Sequence, residues 1–178
     1  PNLQVVIAGT DRVAYGKKLP EGESYKGKAL DELKGLDHTR LHFVGHLPFD
    51  MYRNLLQLSS VHVYLTIPFV LSWSLVEAMA SGCYVIGSDT APLRDAIEDG
   101  VNGRLLPFFD VEALSRAMIE ACRAPQAAAP LRAAARATAV ARFSSRDGRE
   151  EWLDVLRELG VASPAAEPQR MRLISPVS

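Results

Sequence analysis

The sequence has few cysteines, no excess of one charge and no long apolar run, and each shortage excludes a class of protein. Its two cysteines, Cys83 and Cys122, lie far apart and lack the spacing of CxxC or zinc-ligand pairs. The chain has 20 basic and 21 acidic side chains and a net charge of −1, so a general attraction to nucleic acid is not expected. No apolar stretch is long enough to form a transmembrane segment.

Two further absences concern cofactors and metals. The first apolar run ends in Gly9-Thr10-Asp11 and not in G-x-G-x-x-G, which disfavours an NAD-dependent oxidoreductase. No His, Asp or Glu pair has metal-ligand spacing, so we predict no protein-held metal and no cofactor. Cys83 lies in an apolar run, as a core residue of a reduced, intracellular protein would. We therefore expect a cytoplasmic protein, with a peripheral position at the inner face of the membrane as the alternative.

The sequence does contain a regular alternation of strand-like and helical segments. Its 178 residues are 48% hydrophobic, enough for one core. Predicted strands are 3–8, 41–44, 61–67, 83–87 and 103–106, the first buried on both faces. Predicted helices are 25–36, 48–58, 72–80, 92–97, 111–122, 131–142 and 147–159. Because each crossover is long enough for a helix, we predict an α/β fold: a doubly wound, Rossmann-like parallel sheet with helices on both faces.

The ends of the chain bear on its domain organisation. We predict one domain over residues 1–162 and a poorly ordered tail over 163–178, where Pro and Ser occur without periodicity. Pro1 directly precedes a strand-like run, as expected of a domain excised from a two-domain protein. His42 and His62 fall inside strand patterns and are predicted to be structural, and Trp152 in the last helix is predicted to be a core residue.

The loops after the strands are the predicted site, because ligands of such sheets bind at the carboxyl ends of the strands. Loops 9–12, 45–47, 68–74 and 88–93 should share one edge. The third leads into a helix whose start offers free N–H groups and a positive dipole end, which suits a diphosphate; the hydroxyls of Ser72 and Ser74 add donors. One turn further in, Glu77 either accepts from a ribose diol or caps local N–H groups, and spacing alone favours the cap.

A family resemblance favours the ribose instead. Residues 72–87 (SWSLVEAMASGCYVIG), followed by SDTAP at 88–92 and DGVNG at 99–103, closely resemble the carboxyl-terminal domain of glycosyltransferase family 4. Those retaining enzymes have the GT-B fold of two Rossmann domains, and the resemblance covers most of residues 1–160. It implies the donor-binding half of an enzyme of the hexosyltransferase type, which moves a sugar from a nucleotide diphosphate sugar to an acceptor with retention of configuration.

The resemblance also implies roles for particular residues around the diphosphate and the ribose. Glu77 matches the second Glu of the family's Glu-x7-Glu motif, which holds the ribose hydroxyls. Ser72, Trp73 and Ser74 match the segment whose backbone amides hold the diphosphate, and Gly9 matches a glycine turn close to the phosphates. No catalytic residue is assigned.

Further residues match the surroundings of the base and of the donor sugar. Val44, Gly45 and His46 match the loop that frames the base. The first Glu of the motif falls on Phe69, so the carboxylate that usually faces the donor sugar is missing. Either the Phe69 ring stacks on the sugar instead, or the protein binds nucleotide with changed chemistry. Asp89 is predicted near the donor sugar on a different ground, because it follows the fourth strand at the functional edge; turn chemistry explains it equally well.

Two other departures affect the charge of the site. The family's Pro-Glu after the fourth strand is replaced by PLRD at 92–95, where Asp95 aligns with the Glu only after a shift. A basic Arg and Lys pair belongs upstream of Pro1 in this family. Arg12, Lys17 and Lys18 would be partial substitutes, but a solvated loop is the commoner explanation of such lysines.

The resemblance implies a UDP- or GDP-linked sugar as donor. It also implies an acceptor glycan or lipid-linked sugar held by an amino-terminal domain outside this chain, so we expect the isolated domain to be inactive. The alternative is a non-catalytic nucleotide- or partner-binding module, for which Phe69 is the best support.

Overall fold

The apolar runs form parallel strands in the computed structural model of the protein, which describes residues 3–11 and 19–161. The strands are β1 (Val5–Ala8), β2 (Leu41–Gly45), β3 (Val61–Tyr64), β4 (Tyr84–Ser88) and β5 (Arg104–Leu106). The α-helices are α1 (Tyr25–Glu32), α2 (Phe49–Leu58), α3 (Trp73–Ala80), α4 (Ala91–Arg94), α5 (Val111–Arg123), α6 (Ala129–Phe143) and α7 (Ser145–Glu158). Strands and helices alternate as predicted, and the α/β fold is confirmed.

All strand pairs among the described residues are parallel, but they form two ladders instead of one continuous sheet. In the first, β1 pairs with β2, with Val5 opposite Leu41. In the second, β4 lies between β3 and β5. Because parallel strands in a ladder end on the same side, each ladder gathers its carboxyl-terminal loops at one edge.

The predicted burial of β1 on both faces is wrong. Val6 and Ile7 are 40% and 44% exposed, and within the described residues β1 has β2 alone as a ladder partner. An apolar run indicates that both faces of a strand can be buried, but it does not indicate which segments pack against those faces. His42 on β2 donates a 2.7 Å hydrogen bond from Nε2 to the side-chain oxygen of Gln4, consistent with its predicted structural role.

The third strand is shorter than predicted, because the chain leaves the ladder after Tyr64. The N–H of Thr66 donates to the Ser88 hydroxyl at 2.7 Å, a side-chain partner that replaces a backbone carbonyl. Leu65 and Ile67, predicted as strand residues, are consequently exposed. This early exit starts the loop that leads into α3.

The core is centred on α3 and β4. Leu75, Ala78 and Met79 of α3 have no exposed surface, and neither have Val85 and Ile86 of β4. Other core side chains come from α4 and its flanks, namely Leu93, Ala96 and Ile97. A helix and a strand whose central apolar side chains are fully buried form a well-packed, stable framework for a neighbouring site.

Cys83 is fully buried directly before β4, as its apolar surroundings predicted. Its thiol donates to the Leu56 carbonyl at 3.0 Å, joining the end of α2 to the start of β4. Burial raises the pKa of Cys83 to about 11, so the thiol stays protonated at neutral pH and acts as a small core side chain.

The contact pattern divides the chain between Ala139 and Val140, within α6. The predicted domain over residues 1–162 stays a prediction, and the predicted tail at 163–178 lies outside the described residues.

Trp152 is not a core residue, contrary to the prediction: it is 69% exposed, and α7 buries none of its side chains. An apolar stripe on a helix indicates a face that can be covered, without specifying the cover. Within residues 3–11 and 19–161, no helix is both long and apolar enough to cross a membrane.

The burial of α3 yields a stability prediction. Leu75→Ala removes a side chain with no exposed surface, so we expect the free energy of unfolding to fall by about 2–5 kcal/mol. Urea denaturation followed by circular dichroism measures it. Leu58→Ala at the end of α2 is the matched control, because Leu58 is 83% exposed and its loss should cost less than about 0.5 kcal/mol. Equal losses in the two variants would contradict the assignment of the core.

Candidate functional site

A cavity of about 360 Å³ lies at the carboxyl ends of β1 and β2. The two strand ends are joined by a hydrogen bond of 2.8 Å from the Gly9 N–H to the Gly45 carbonyl. Both residues have positive φ angles, 143° and 68°, which glycine adopts at little cost. The cavity is lined by Ala8, Gly9, His46, Leu47, Phe49 and Tyr52. Its size falls in the range of small-molecule sites.

Three of the predicted site residues thus meet at this cavity. Gly9 and His46 line it directly. Gly45, directly before His46, accepts the hydrogen bond from the Gly9 N–H that joins the two loops. Val44 lies on the exposed face of β2, at 41% exposure. Of the four loops predicted to share one edge, the first two meet here, whereas loops 68–74 and 88–93 follow strands of the other ladder and their position at the same edge stays a prediction.

The amino-terminal end of α3 is capped by hydrogen bonds from its own serines. Ser72 is the N-cap residue, and its hydroxyl accepts a 3.2 Å hydrogen bond from the Ser74 N–H. The Ser72 and Ser74 hydroxyls lie 2.8 Å apart in a further hydrogen bond, and the Ser72 carbonyl accepts from the Leu75 N–H at 3.2 Å. The two serines predicted as anion donors are therefore next to each other and already hydrogen-bonded.

Glu77 lies one turn into α3 and is half-buried. Its carboxylate acts on the phenol of Tyr52 in α2. Burial, followed by the negative charge of Glu77, raises the pKa of Tyr52 to about 12. Tyr52 also lines the cavity, so this pair links the cavity to the carboxylate on α3.

The opposite end of α3 is held by two arginines of α6. Arg132 donates from Nε to the Gly82 carbonyl at 2.7 Å, and Arg136 donates to the Ala80 carbonyl. Positive side chains at a helix carboxyl terminus satisfy its unpaired carbonyls and favour its dipole. Together with the buried face of α3, these contacts leave the amino-terminal end as the accessible end of the helix.

Asp89 is engaged in an ion pair. Its two carboxylate oxygens accept from Nε and a terminal nitrogen of Arg94 at 2.6 and 2.9 Å. The hydrogen bond from Arg94 lowers the pKa of Asp89, and Asp89 in turn raises the pKa of Arg94. The pair spans α4, so the carboxylate predicted near the donor sugar is neutralised by a cation that the sequence analysis did not pair with it.

The loop before α3 carries large exposed side chains. Phe69 is 59% exposed and Trp73 is 78% exposed. Ile67 and Val70 of the same segment are also exposed. Phe69 and Trp73 thus leave most of their ring surface accessible beside the start of α3.

Two residues that line the cavity were missed by the sequence analysis. Phe49 and Tyr52 belong to the first turn of α2, which follows the loop at 45–47. Aromatic residues three apart at the start of that helix were the available signal, because such side chains lie on one helical face.

The predicted basic substitutes, Arg12, Lys17 and Lys18, lie outside the described residues. Within those residues no three His, Cys, Asp or Glu side chains are grouped as metal ligands.

Comparison with known proteins identifies the family of this chain. Residues 1–138 match the family described as "Glycosyl transferases group 1". The chain belongs to this family. A phosphatidyl-myo-inositol mannosyltransferase of Mycolicibacterium smegmatis is 38% identical over 78 residues, which are 44% of this chain and 18% of that enzyme.

Solved structures show the same fold for this glycosyl transferase domain. Anabaena HepE, crystallised in complex with UDP, superimposes with a TM-score of 0.76 at 21% identity over 89% of this chain. Sucrose-phosphate synthase of Thermosynechococcus elongatus gives 0.71 at 23% identity over 90%. The chain covers 42% and 39% of those two proteins. These likenesses show the GT-B type of fold, and the chain spans less than half the length of each solved structure.

Asn102, in the Asn-Gly pair of the glycosyl transferase domain, has a structural role. The side chain of Asn102 is 94% buried, since only 6% of it is exposed. Its oxygen accepts from the Glu98 N–H at 2.8 Å, and its nitrogen donates to the Ala96 carbonyl and the Thr138 hydroxyl, both at 3.1 Å. Asn102 therefore fastens the turn after α4 to α6.

Removing that amide should destabilise the domain without touching the cavity. Asn102→Ala leaves the buried Ala96 carbonyl and the partly buried Glu98 N–H without this partner, so we expect a loss of about 1–3 kcal/mol in the free energy of unfolding. Chemical denaturation measures it. Asn54→Ala on the exposed face of α2 is the control, with an expected change below about 0.5 kcal/mol. An Asn102→Ala variant as stable as the control would refute this role.

Proposed function

We propose that this chain is the donor-binding part of a retaining glycosyltransferase of family 4, which transfers a hexosyl group from a nucleotide diphosphate sugar. One observation carries the proposal. A single rigid helix, α3, has two small hydroxyl side chains at its accessible amino end and a carboxylate one turn further in. That carboxylate lies beside the residue that links α3 to the cavity at the ends of β1 and β2.

The diphosphate is assigned to the start of α3. Phosphate oxygens there meet the positive end of the helix dipole and the backbone N–H groups of Ser72, Trp73 and Ser74, with Gly9 nearby. In the bound state a phosphate oxygen replaces the Ser72 hydroxyl as acceptor for the Ser74 N–H. The freed hydroxyl then donates to the phosphate. Negative charge that develops on the leaving diphosphate is stabilised by the same groups, which lowers the barrier to transfer.

The base and the ribose are assigned to the cavity and to Glu77. His46 and Gly45, with Val44 on the strand before them, form the predicted frame for the base. Glu77 accepts hydrogen bonds from the two ribose hydroxyls, as the resemblance implies. UDP is the first nucleotide to test, because Anabaena HepE, which shares the fold, was crystallised with UDP and with UDP-glucose.

The donor sugar is assigned to the surface between Phe69 and Asp89. Phe69 offers an exposed ring for stacking on the sugar, in the position where the family motif has its first Glu. Asp89 is held by Arg94, so its oxygens are fixed for hydrogen bonding to sugar hydroxyls and carry little free charge. Retention without a nearby free carboxylate then depends on stabilising the leaving group.

The acceptor, a glycan or a lipid-linked sugar, is assigned to polypeptide outside residues 1–178. The chain covers less than half of the related solved structures, and in a GT-B enzyme the two Rossmann domains together enclose the substrates. We therefore propose that this chain alone binds the donor weakly and does not turn it over. The cytoplasmic location and the peripheral position at the membrane stay predictions.

The proposal is tested by calorimetric titration with UDP, GDP and ADP. We expect saturable binding of one nucleotide, and a loss of roughly 10- to 100-fold in affinity for Glu77→Ala, because hydrogen bonds to a charged acceptor disappear. Glu32→Ala, at the exposed end of α1, is the matched control and should bind like the unmodified chain. No binding of any of the three nucleotides at millimolar concentration, in this chain and in the complete natural polypeptide, would sink the proposal.

Phe69 supports a second candidate, a non-catalytic nucleotide-binding module. The complete polypeptide should be assayed with UDP-sugars for transfer and for donor hydrolysis. Nucleotide binding without either reaction favours the module, whereas transfer with retention favours the enzyme. Phe69→Glu, which restores the residue of the family motif, adds a comparison within the same chain.

A further inference from the structure

Tyr52 carries a buried hydroxyl that has no hydrogen-bond partner at normal distance and angle. Its oxygen has essentially no exposed surface and no partner of good geometry among the described residues. Its ring meanwhile lines the cavity at the ends of β1 and β2. A buried hydroxyl is normally satisfied, so an unsatisfied one in a cavity wall calls for a partner that it meets in another state of the site.

The position of Tyr52 limits what that partner is. The oxygen is inaccessible, so a ligand inside the cavity contacts the ring and not the hydroxyl. Helices α2 and α3 pack against each other, and the acid on the facing side is Glu77, whose charge acts on the phenol. The pKa of Tyr52, about 12, keeps the phenol protonated at neutral pH, so the hydroxyl is available as a donor.

Glu77, for its part, needs a hydrogen-bond donor that fixes the orientation of its carboxylate. It is half-buried on a helix whose other central side chains, Leu75, Val76, Ala78 and Met79, are buried and apolar. A carboxylate that is to accept from two ribose hydroxyls must keep one fixed orientation. In this structure no described residue forms an ion pair with Glu77, whereas Asp89 is fixed by Arg94.

We propose that Tyr52 is a positioning residue for Glu77: its hydroxyl donates to one carboxylate oxygen and orients the carboxylate toward the ribose diol. Tyr52 itself does not touch the ribose. It connects the wall of the proposed base cavity, which its ring lines, to the proposed ribose-binding carboxylate on α3. This inference rests on the proposed role of Glu77 in donor binding.

The experiment is a double-mutant cycle read with two ligands. Tyr52→Phe, Glu77→Ala and the double variant are titrated with UDP and with 2′,3′-dideoxy-UDP, in this chain or, if its affinity is too low, in the complete natural polypeptide. Tyr52→Phe keeps the ring and removes only the oxygen. We expect it to weaken UDP binding by roughly 5- to 10-fold. It should have no further effect in the Glu77→Ala background and none on the dideoxy nucleotide. Tyr25→Phe, at an exposed tyrosine of α1, is the control.

Each other outcome overturns the inference. Equal weakening of UDP and of dideoxy-UDP by Tyr52→Phe would mean that Tyr52 acts on the base or on packing. Normal UDP binding by Tyr52→Phe, with a large loss in Glu77→Ala, would remove Tyr52 from the site and leave the proposed function intact. Failure of the unmodified protein to bind UDP, GDP and ADP would instead overturn the proposed function together with this inference.

Discussion

The rigid placement of α3 is the constraint on which the candidate site depends. One face of the helix is fully buried against the core around β4, and its carboxyl end is tied to α6 through Arg132 and Arg136. A helix held on one face and at one end keeps its other end at a fixed position. The amino-terminal N–H groups and Glu77 are therefore presented at a constant spacing, without any cost of ordering a loop when a ligand binds.

The rest of the site is connected to α3 through α2. Cys83 joins the end of α2 to the start of β4 by a buried hydrogen bond, and the first turn of α2 supplies Phe49 and Tyr52 to the cavity. The short helix thus contacts the core at its end and the β1–β2 edge at its beginning. This explains how two separate strand ladders contribute to one site: α2 carries the connection, in the absence of a described strand pairing between them.

The electrostatics around the proposed sugar position differ from the pattern that the family motif implies. A carboxylate is replaced by the exposed ring of Phe69, and the remaining acid, Asp89, is neutralised by Arg94. The loop before α3 therefore exposes an aromatic ring, and the acid that follows β4 is paired with a cation. In the proposed function, these side chains favour ring stacking and hydrogen bonding over charge stabilisation of the sugar, and the helix dipole acts at the proposed diphosphate position.

The sequence by itself determined the order and type of the elements, because apolar runs and helical periodicity are local properties of neighbouring residues. It also indicated the helix start at Ser72 and the strand ends at Gly9 and Gly45, which the structure shows as a helix cap and two glycines with positive φ angles. Tertiary structure alone decided what depends on residues distant in the chain. The Arg94 partner of Asp89, the effect of Glu77 on the pKa of Tyr52 and the amide network of Asn102 arise from packing. The exposure of β1 and of Trp152 was misjudged for the same reason: an apolar pattern records which face can be buried, whereas only the arrangement of the other segments decides whether it is.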